Sequence, residues 1–384
     1  MKKKALDRVD YTALDKAKNA FIKASRRTLK FASRYGFIPD ATLGASANIF
    51  NFDLQPFLKS AKSGASGGAK NLFITLLPEG LGTADDARPD DLSPRQLEKF
   101  WYNIGIKTVA VMTNDAAATG MQTILISLYL PSAEPEIIFN KRFMNGFLDG
   151  FVEGCRRVGC VYFSGETPQL KNKIMTGKLD IAGALFGVMP PEKMPITSGN
   201  VRAGDSIVFI ESSGPHENGF TTLRNLAEHL PRGYHAKLPS GREYWEAINA
   251  PSVLYTPLIQ AILAAGISPT NVEPISGHGW QKLMRPKQNF AYVIEKMLPV
   301  PEVFRFVEER AGMSPKEMIR IFNYGVGYAI FTRTEKEAER VVAIAAKNKL
   351  KACIAGHVAA SKKRQVIVKP LGVTLGGEAF DLRK

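Results

Sequence analysis

Short apolar runs of strand length alternate with longer amphipathic segments throughout this chain of 384 residues. Patterns that predict strands lie at 71–77, 124–130, 160–163, 206–210, 328–332 and 365–369. Patterns with helical spacing lie at 12–35, 95–113, 219–230, 253–266, 302–311 and 335–348. Phe143, Phe147 and Phe151 recur every four residues, as on one core-facing side of a further helix. Such alternation is typical of α/β or α+β proteins and excludes an all-α or an all-β fold.

A segment rich in proline and glycine, residues 189–204, divides the chain into two halves of similar size. Linkers between domains have this kind of composition. A new strand pattern opens directly after it, at 206–210, and strand and helix patterns then alternate again. The sequence therefore predicts two domains, 1–194 and 195–384.

The balance of charge indicates which partners to expect. The chain carries 51 lysine and arginine residues against 36 aspartate and glutamate residues, a formal net charge of +15. This excess favours anionic partners, which include nucleotides, sugar phosphates and nucleic acid. The sequence contains no aromatic–basic motif of the usual nucleic-acid-binding kinds, so we expect a small anionic molecule and no nucleic acid.

Hydropathy and cysteine content indicate the compartment. No stretch approaches the 18 consecutive apolar residues of a membrane span, so we expect no membrane association. The basic start at residues 1–4 is followed by a polar segment instead of the apolar core of a signal peptide. An odd number of cysteines, three, builds no disulfide framework and fits a reducing compartment. These features together predict a cytoplasmic protein.

Two short motifs in the first half carry carboxylates. Glu79-Gly-Leu-Gly-Thr83 follows a predicted strand, and its glycines let backbone N–H groups approach phosphate oxygens while Glu79 can hold Mg²⁺. Asn114-Asp115 ends a predicted helix, where Asp115 is a candidate second metal ligand. Taken singly, the first motif also fits a plain turn and the second fits a helix cap, so both interpretations stay open.

Glycine-containing loops follow in the second half. Ser212-Ser-Gly-Pro-His-Glu-Asn-Gly219 joins a strand to a helix, and its hydroxyls and the helix N-terminus suit a phosphate group. Within it, His216 can donate a proton or bind phosphate because imidazole titrates near neutral pH. For residues 212–219 the alternative is a capping loop. The segment 275–280 has the same character, with a tight bend as its alternative, and the segment 322–328 would normally form a glycine bulge.

These motifs are more specific in their order than one by one. The series is Glu79-Gly-Leu-Gly-Thr83, Asn114-Asp115, Gly154-Cys-Arg-Arg-Val-Gly-Cys160, Ser164-Gly-Glu-Thr167, Ala203-Gly-Asp205, Ser212-Ser-Gly-Pro-His-Glu-Asn-Gly219 and Phe322-Asn-Tyr-Gly-Val-Gly327. It resembles the aminoimidazole ribonucleotide synthetase, or phosphoribosylformylglycinamidine cyclo-ligase, family of purine biosynthesis, over roughly residues 40–360.

The resemblance implies an α/β (α+β) enzyme with a strand-rich, ATP-binding and dimerising N-terminal domain, a C-terminal α/β domain and a homodimeric assembly. The implied reaction is the ATP-dependent ring closure of formylglycinamidine ribonucleotide, a phosphorylated ribonucleotide, with ATP and Mg²⁺ as cofactors. Catalytic roles are implied for His216, Asp115 and Glu79, of which Glu79 and Asp115 would also hold the metal. The implied cofactor-binding residues are Gly44, Gly80, Gly82, Thr83, Asn114, Asp115, Glu166, Thr167, Gly214, Asn218 and Gly219.

The chain departs from the family pattern in three motifs, of which Ser164-Gly-Glu-Thr167 in place of Gly-Gly-Glu-Thr retains Glu166. The usual Asp-Gly-Val-Gly-Thr-Lys is Glu79-Gly-Leu-Gly-Thr-Ala84 here, which keeps a carboxylate and removes a cation. The usual His-Ile-Thr-Gly-Gly-Gly is Pro274-Ile-Ser-Gly-His-Gly279, which removes one histidine and adds His278. An ammonium group lost beside phosphates is a substantial change, because charge-assisted hydrogen bonds are the strong ones.

These departures leave several alternatives open. One is a catalytically weakened paralogue that only binds nucleotide. Others are a thiamine-phosphate or selenide kinase of the same superfamily, or the amidotransferase-linked synthetase of the previous purine step. No reactive cysteine precedes the first glycine loop, which disfavours the selenide enzyme, and the amidotransferase-linked enzyme fits the whole chain less well.

Overall fold

A computed structural model describes residues 11–35, 37–39, 50–55, 72–191 and 193–376, and Gly44 lies outside these ranges. In chain order, the described N-terminal half contains α1 (Tyr11–Thr28), β1 (Phe37–Pro39), β2 (Phe50–Phe52), β3 (Ile74–Gly80), α2 (Pro94–Ala118), β4 (Gln122–Tyr129), α3 (Pro135–Phe139), α4 (Lys141–Val158), β5 (Val161–Glu166) and β6 (Ala182–Val188). The C-terminal half contains β7 (Ser206–Glu211), α5 (Phe220–His229), α6 (Tyr244–Ile248), α7 (Thr256–Ala264), β8 (Asn271–Pro274), β9 (Phe290–Ile294), α8 (Glu302–Ala311), α9 (Pro315–Ile321), β10 (Val326–Thr332), α10 (Glu335–Lys347), β11 (Ala352–Ala360), β12 (Gln365–Val368) and β13 (Val373–Gly376).

A four-stranded sheet in the order β3-β6-β4-β5 organises the N-terminal half. Its strands are antiparallel except for the parallel pair β4 and β5. Helices α2 and α4 pack against each other, and a Cβ atom on Gly150 would lie 1.9 Å from the Tyr102 carbonyl oxygen. Glycine is therefore required where these two helix backbones meet. The predicted stripe of Phe143, Phe147 and Phe151 is confirmed as buried core packing.

A seven-stranded sheet in the order β13-β12-β9-β11-β7-β10-β8 organises the C-terminal half. It is antiparallel apart from the parallel pair β12 and β9. One hydrophobic cluster includes residues of both halves. Helix α2 contributes to this continuity because it contacts β3 of its own half as well as β8 and α7 of the other. The predicted mixture of helices and sheets is confirmed.

Several element boundaries differ from the prediction, among them those of α1, β3 and α2. Helix α1 ends at Thr28, well before residue 35, and residues 33–35 form a separate 3₁₀ turn. Strand β3 continues through Pro78, which an edge strand tolerates because a ladder N–H is dispensable there. Helix α2 runs to Ala118, because three alanines, the best helix-forming residues, follow Asp115. None of the helices in the described ranges is long and apolar enough to span a membrane.

Candidate active site

A cavity of about 360 Å³ lies between the two halves of the molecule. Its walls come from the end of β3 and the turn after it, one face of α2, the loop before α5, and the loop and 3₁₀ helix after β8. The lining includes the predicted site residues Glu79, Gly80, Gly82, Asn114, Asp115, His216 and Asn218. Pockets of this size suit small molecules. Motifs far apart in the sequence are thus brought to one place.

The other predicted residues that the structure describes do not line the cavity. They are Thr83, Glu166, Thr167, Gly214 and Gly219. Glu166 is exposed at the end of β5, and the Gly214 carbonyl oxygen accepts a hydrogen bond from the Asn323 amide at 2.8 Å. Gly214 therefore belongs to the support of the loop before α5.

Glu79 and Asp115 are the two carboxylates that the β3 and α2 walls contribute to the cavity. Burial, followed by the negative charge of Asp115, raises the pKa of Glu79 above its ordinary value. A cation between the two groups would relieve this repulsion. Mg²⁺ is usually held by one or two carboxylates together with substrate phosphates and waters. This donor set fits that mode, and no larger cluster of metal-binding side chains occurs in the described ranges.

Asn114 is engaged by the protein itself. Its side-chain amide donates to the Val253 carbonyl at 2.9 Å and accepts from the Tyr255 N–H at 3.0 Å. Tyr255 stacks on Tyr328, and its hydroxyl donates to the Glu211 carbonyl at 2.6 Å. A Cβ atom on Gly327 would lie 1.7 Å from that hydroxyl oxygen, so only glycine fits there. The side chain of Asn114 thus fixes the segment before α7 against α2.

His216 is buried in the loop before α5, with a left-handed φ of 57°. Its Nε2 atom accepts hydrogen bonds from the N–H groups of Ser213 at 3.3 Å and Val253 at 3.4 Å. Burial, followed by the positive charge of Lys107, lowers the pKa of His216 to about 3. The imidazole is therefore neutral near pH 7. Its acceptor bonds hold two backbone segments together.

A buried ammonium group lies behind this loop. The Lys107 side chain, on α2, donates to the His216 carbonyl oxygen and lies 5.3 Å from the centre of the Phe220 ring. Burial lowers its pKa to about 8. The carboxylate of Glu217 accepts a hydrogen bond from the Ser252 hydroxyl. Burial raises the pKa of Glu217 above its ordinary value, and the positive charge of Lys107 offsets part of this shift. This network couples α2 to the loop that carries His216.

Lys282 and Arg285 are cavity residues that the sequence analysis did not identify. The indole N–H of buried Trp280 donates to the Asn323 carbonyl at 2.9 Å and anchors the 3₁₀ helix Gly279–Met284. Burial and the nearby charge of Arg285 lower the pKa of Lys282 to about 8. A buried hydrophobic anchor followed by basic residues was the available signal, but the pattern is too common to be diagnostic.

Position 84 shows what the first departure from the family pattern does. Ala84 is completely buried in the hydrophobic cluster and does not line the cavity. A lysine at this position would place an ammonium group in an apolar environment, at substantial cost. The glycine turn after β3 is thus built around a small apolar residue.

Fold and cavity together define an α/β protein with two large sheets and, between its halves, a cavity lined by both acidic and basic side chains. The model of the family "AIR synthase related protein, N-terminal domain" matches residues 91–189. A relative from Thermococcus kodakarensis, named phosphoribosylformylglycinamidine cyclo-ligase, is 32% identical over 268 residues, which cover 70% of this chain and 74% of that protein. The chain belongs to the phosphoribosylformylglycinamidine cyclo-ligase, or aminoimidazole ribonucleotide synthetase, family.

Solved structures share the fold at low identity. A thiamine-monophosphate kinase from Stenotrophomonas maltophilia K279a has a TM-score of 0.60 and 16% identity, covering 92% of this chain and 97% of that one. A hydrogenase maturation protein HypE in complex with ATP has a TM-score of 0.56 and 14% identity, covering 84% of this chain and 91% of that one. At such identities the similarity shows the fold alone.

Proposed function

We propose that this protein closes the imidazole ring of formylglycinamidine ribonucleotide at the expense of ATP, giving aminoimidazole ribonucleotide. The observation that carries the proposal is the cavity, which combines the Glu79–Asp115 carboxylate pair with the cations of Lys282 and Arg285. The family membership of the chain indicates which reaction such a cavity serves. Two phosphorylated substrates also account for the net charge of +15.

In the proposed reaction, the formyl oxygen attacks the γ-phosphorus of ATP and ADP leaves. The amidine nitrogen then attacks the formyl carbon and loses its proton, and the C–O bond breaks so that the oxygen departs with phosphate. Phosphorylation thus turns a poor leaving group into a good one. The protein mainly has to hold the reacting atoms together and balance their charge.

The cavity residues supply these two requirements. Lys282 and Arg285 bring positive charge to the cavity wall, and Asn218 and the glycine turn at 80–82 supply neutral hydrogen-bonding groups. Glu79 and Asp115 would hold Mg²⁺, which neutralises triphosphate charge when bound. Neutral His216 links the loop at 213–217 to the segment at 253, because its Nε2 atom accepts hydrogen bonds from both.

We further propose a homodimer formed through the four-stranded sheet, with residues 1–194 as the ATP-binding and dimerising domain and residues 195–384 as the second domain. The support is an apolar sheet face on which Ile74, Leu76 and Tyr129 are exposed. Their register places them on the same side of β3 and β4. Exposed apolar faces of this kind mark interfaces. Three buried free cysteines support a cytoplasmic location.

A kinase activity is the second candidate, favoured by the structural similarity to thiamine-monophosphate kinase. Both reactions begin with transfer of the γ-phosphoryl group, so the Glu79–Asp115 pair would serve either. They differ in the fate of that group, which a kinase leaves on its product and a cyclo-ligase releases as inorganic phosphate.

A coupled assay of ADP release tests the proposal. Formylglycinamidine ribonucleotide should support turnover with equal release of ADP and inorganic phosphate, and thiamine monophosphate should not. Asp115→Asn should raise the KM for Mg·ATP by about tenfold or more, because one carboxylate of the pair is lost. Asp149→Asn, which removes an exposed carboxylate on α4, is the matched control and should leave KM unchanged. Turnover of thiamine monophosphate alone would favour the kinase.

A further inference from the structure

Lys282 is a buried cation of the cavity wall that uses few of its hydrogen-bonding groups. Its side chain is almost completely buried, with 5% of the residue exposed. Within the part of the chain that the structure describes, its one hydrogen bond goes to the Ser276 hydroxyl. An ammonium group has three N–H donors. Two donors are therefore left for a ligand that enters the cavity.

Arg285 is the other lining cation, and a carboxylate already holds it. Its guanidinium lies 3.4 Å from the carboxylate of buried Glu273, which in turn accepts from the Asn271 amide at 3.1 Å. Lys282 has no carboxylate within ion-pair distance in the described ranges. The negative charges of Asp115 and Glu79 are nevertheless close enough to act on the pKa of Lys282. This arrangement suits a metal-bound polyphosphate, because the two carboxylates could hold the metal while the ammonium group binds phosphate oxygens.

We propose that Lys282 binds the triphosphate of ATP next to the Glu79–Asp115 pair. It thereby supplies the positive charge that the buried Ala84 does not offer to the cavity. The proposal rests on the ATP dependence stated under the proposed function. It adds a phosphate-binding residue from the C-terminal half, so that the nucleotide contacts both halves of the molecule.

Calorimetric titration of the full-length protein with Mg²⁺ and a non-hydrolysable ATP analogue tests this assignment without any turnover. Lys282→Met should weaken binding by about 10- to 100-fold, the range expected when a charge-assisted hydrogen bond is lost. Lys282→Arg should restore most of the affinity. Lys287→Met removes an exposed lysine five residues away and should leave affinity unchanged.

Lys282→Gln provides a second uncharged variant that keeps a hydrogen-bond donor for Ser276, and thermal unfolding checks that both variants fold. Affinities of both uncharged variants within threefold of the wild type would overturn the assignment. An unchanged ATP affinity with a raised KM for the ribonucleotide would also overturn it, and would assign Lys282 to the ribonucleotide phosphate. If the wild type binds ATP through Lys282 but does not close the ring, the proposed function fails while this assignment stands.

Discussion

At the scale of single residues, burial decides the charge state of the groups around the cavity. It raises the pKa of Glu79, and it lowers the pKa values of Lys107 and Lys282 to about 8 and that of His216 to about 3. Groups in such environments are common at functional sites, because a buried charge is costly until a ligand balances it. His216 is the exception, since its low pKa keeps it neutral at any physiological pH.

The charge state of His216 gives a direct prediction. Its imidazole should stay neutral from pH 8 down to about pH 4, with the proton on Nδ1, because Nε2 accepts two backbone hydrogen bonds. Because its pKa is below the unfolded value of about 6.5, its neutral form should stabilise the fold above that pH, and this contribution should be lost between about pH 6.5 and 3. Nitrogen chemical shifts in an NMR titration measure the charge state.

His235 provides the internal comparison for that titration. Hydrogen bonds to Asp91 at 2.8 Å and Glu243 at 3.0 Å raise its pKa above the ordinary value. The pKa of His235 should therefore lie above that of an unperturbed histidine, and the pKa of His216 should lie below it. Protonation of His216 between pH 5.5 and 7 would show that its environment is more polar than the structure indicates.

At the scale of elements, α2 is the part that both halves share. Lys107, Val111 and the adjacent pair Asn114 and Asp115 follow one another at intervals of three to four residues and therefore lie on one side of the helix. From this side Asp115 faces the cavity, Lys107 holds the loop of His216 and Asn114 holds the segment before α7. The apolar sheet face belongs to the same half, and its exposure predicts an interface.

The dimer prediction can be tested on strand β3. Leu76→Lys places a charge in the middle of the exposed apolar face and should convert a homodimer to a monomer in sedimentation equilibrium at micromolar concentration. A biological interface of more than about 1,000 Å² would not tolerate such a charge at its centre. Met175→Lys is the control, since Met175 has the same 76% exposure as Leu76 but lies in a loop. A wild-type protein that sediments as a monomer would contradict the predicted homodimer.

The order of motifs in the sequence anticipated where the cavity lies, because Glu79, Asp115 and His216 all line it. What their neighbours do could not be predicted. Asn114 resembles a helix cap in sequence, but it lies inside α2, and its side-chain amide pairs with backbone groups 139 and 141 residues away. The sequence did not identify Lys282 as a cavity residue, because the 3₁₀ helix that carries it is anchored by a hydrogen bond between Trp280 and Asn323, which are 43 residues apart. Long-range contacts of this kind leave no diagnostic pattern in the neighbouring sequence.

At the scale of the whole molecule, the fold is shared with proteins whose names describe different chemistry, so the two sheets alone do not determine the reaction. The assignment to ring closure rests on family membership and on a cavity to which both halves contribute opposite charges. The chain retains this balance of charge although the glycine turn after β3 has no lysine. We therefore expect ATP to activate the formyl oxygen in this cavity.

Transfer of an oxygen isotope from substrate to phosphate reports whether ATP activates the formyl oxygen. Formylglycinamidine ribonucleotide labelled with ¹⁸O in the formyl group should, with the wild-type protein and Mg·ATP, yield inorganic phosphate that carries the label and unlabelled aminoimidazole ribonucleotide. Unlabelled substrate in H₂¹⁸O is the control and should give unlabelled phosphate. Label that appears in water, or phosphate that takes its oxygen from water, would contradict the account, because ATP would then be hydrolysed without activating the formyl oxygen.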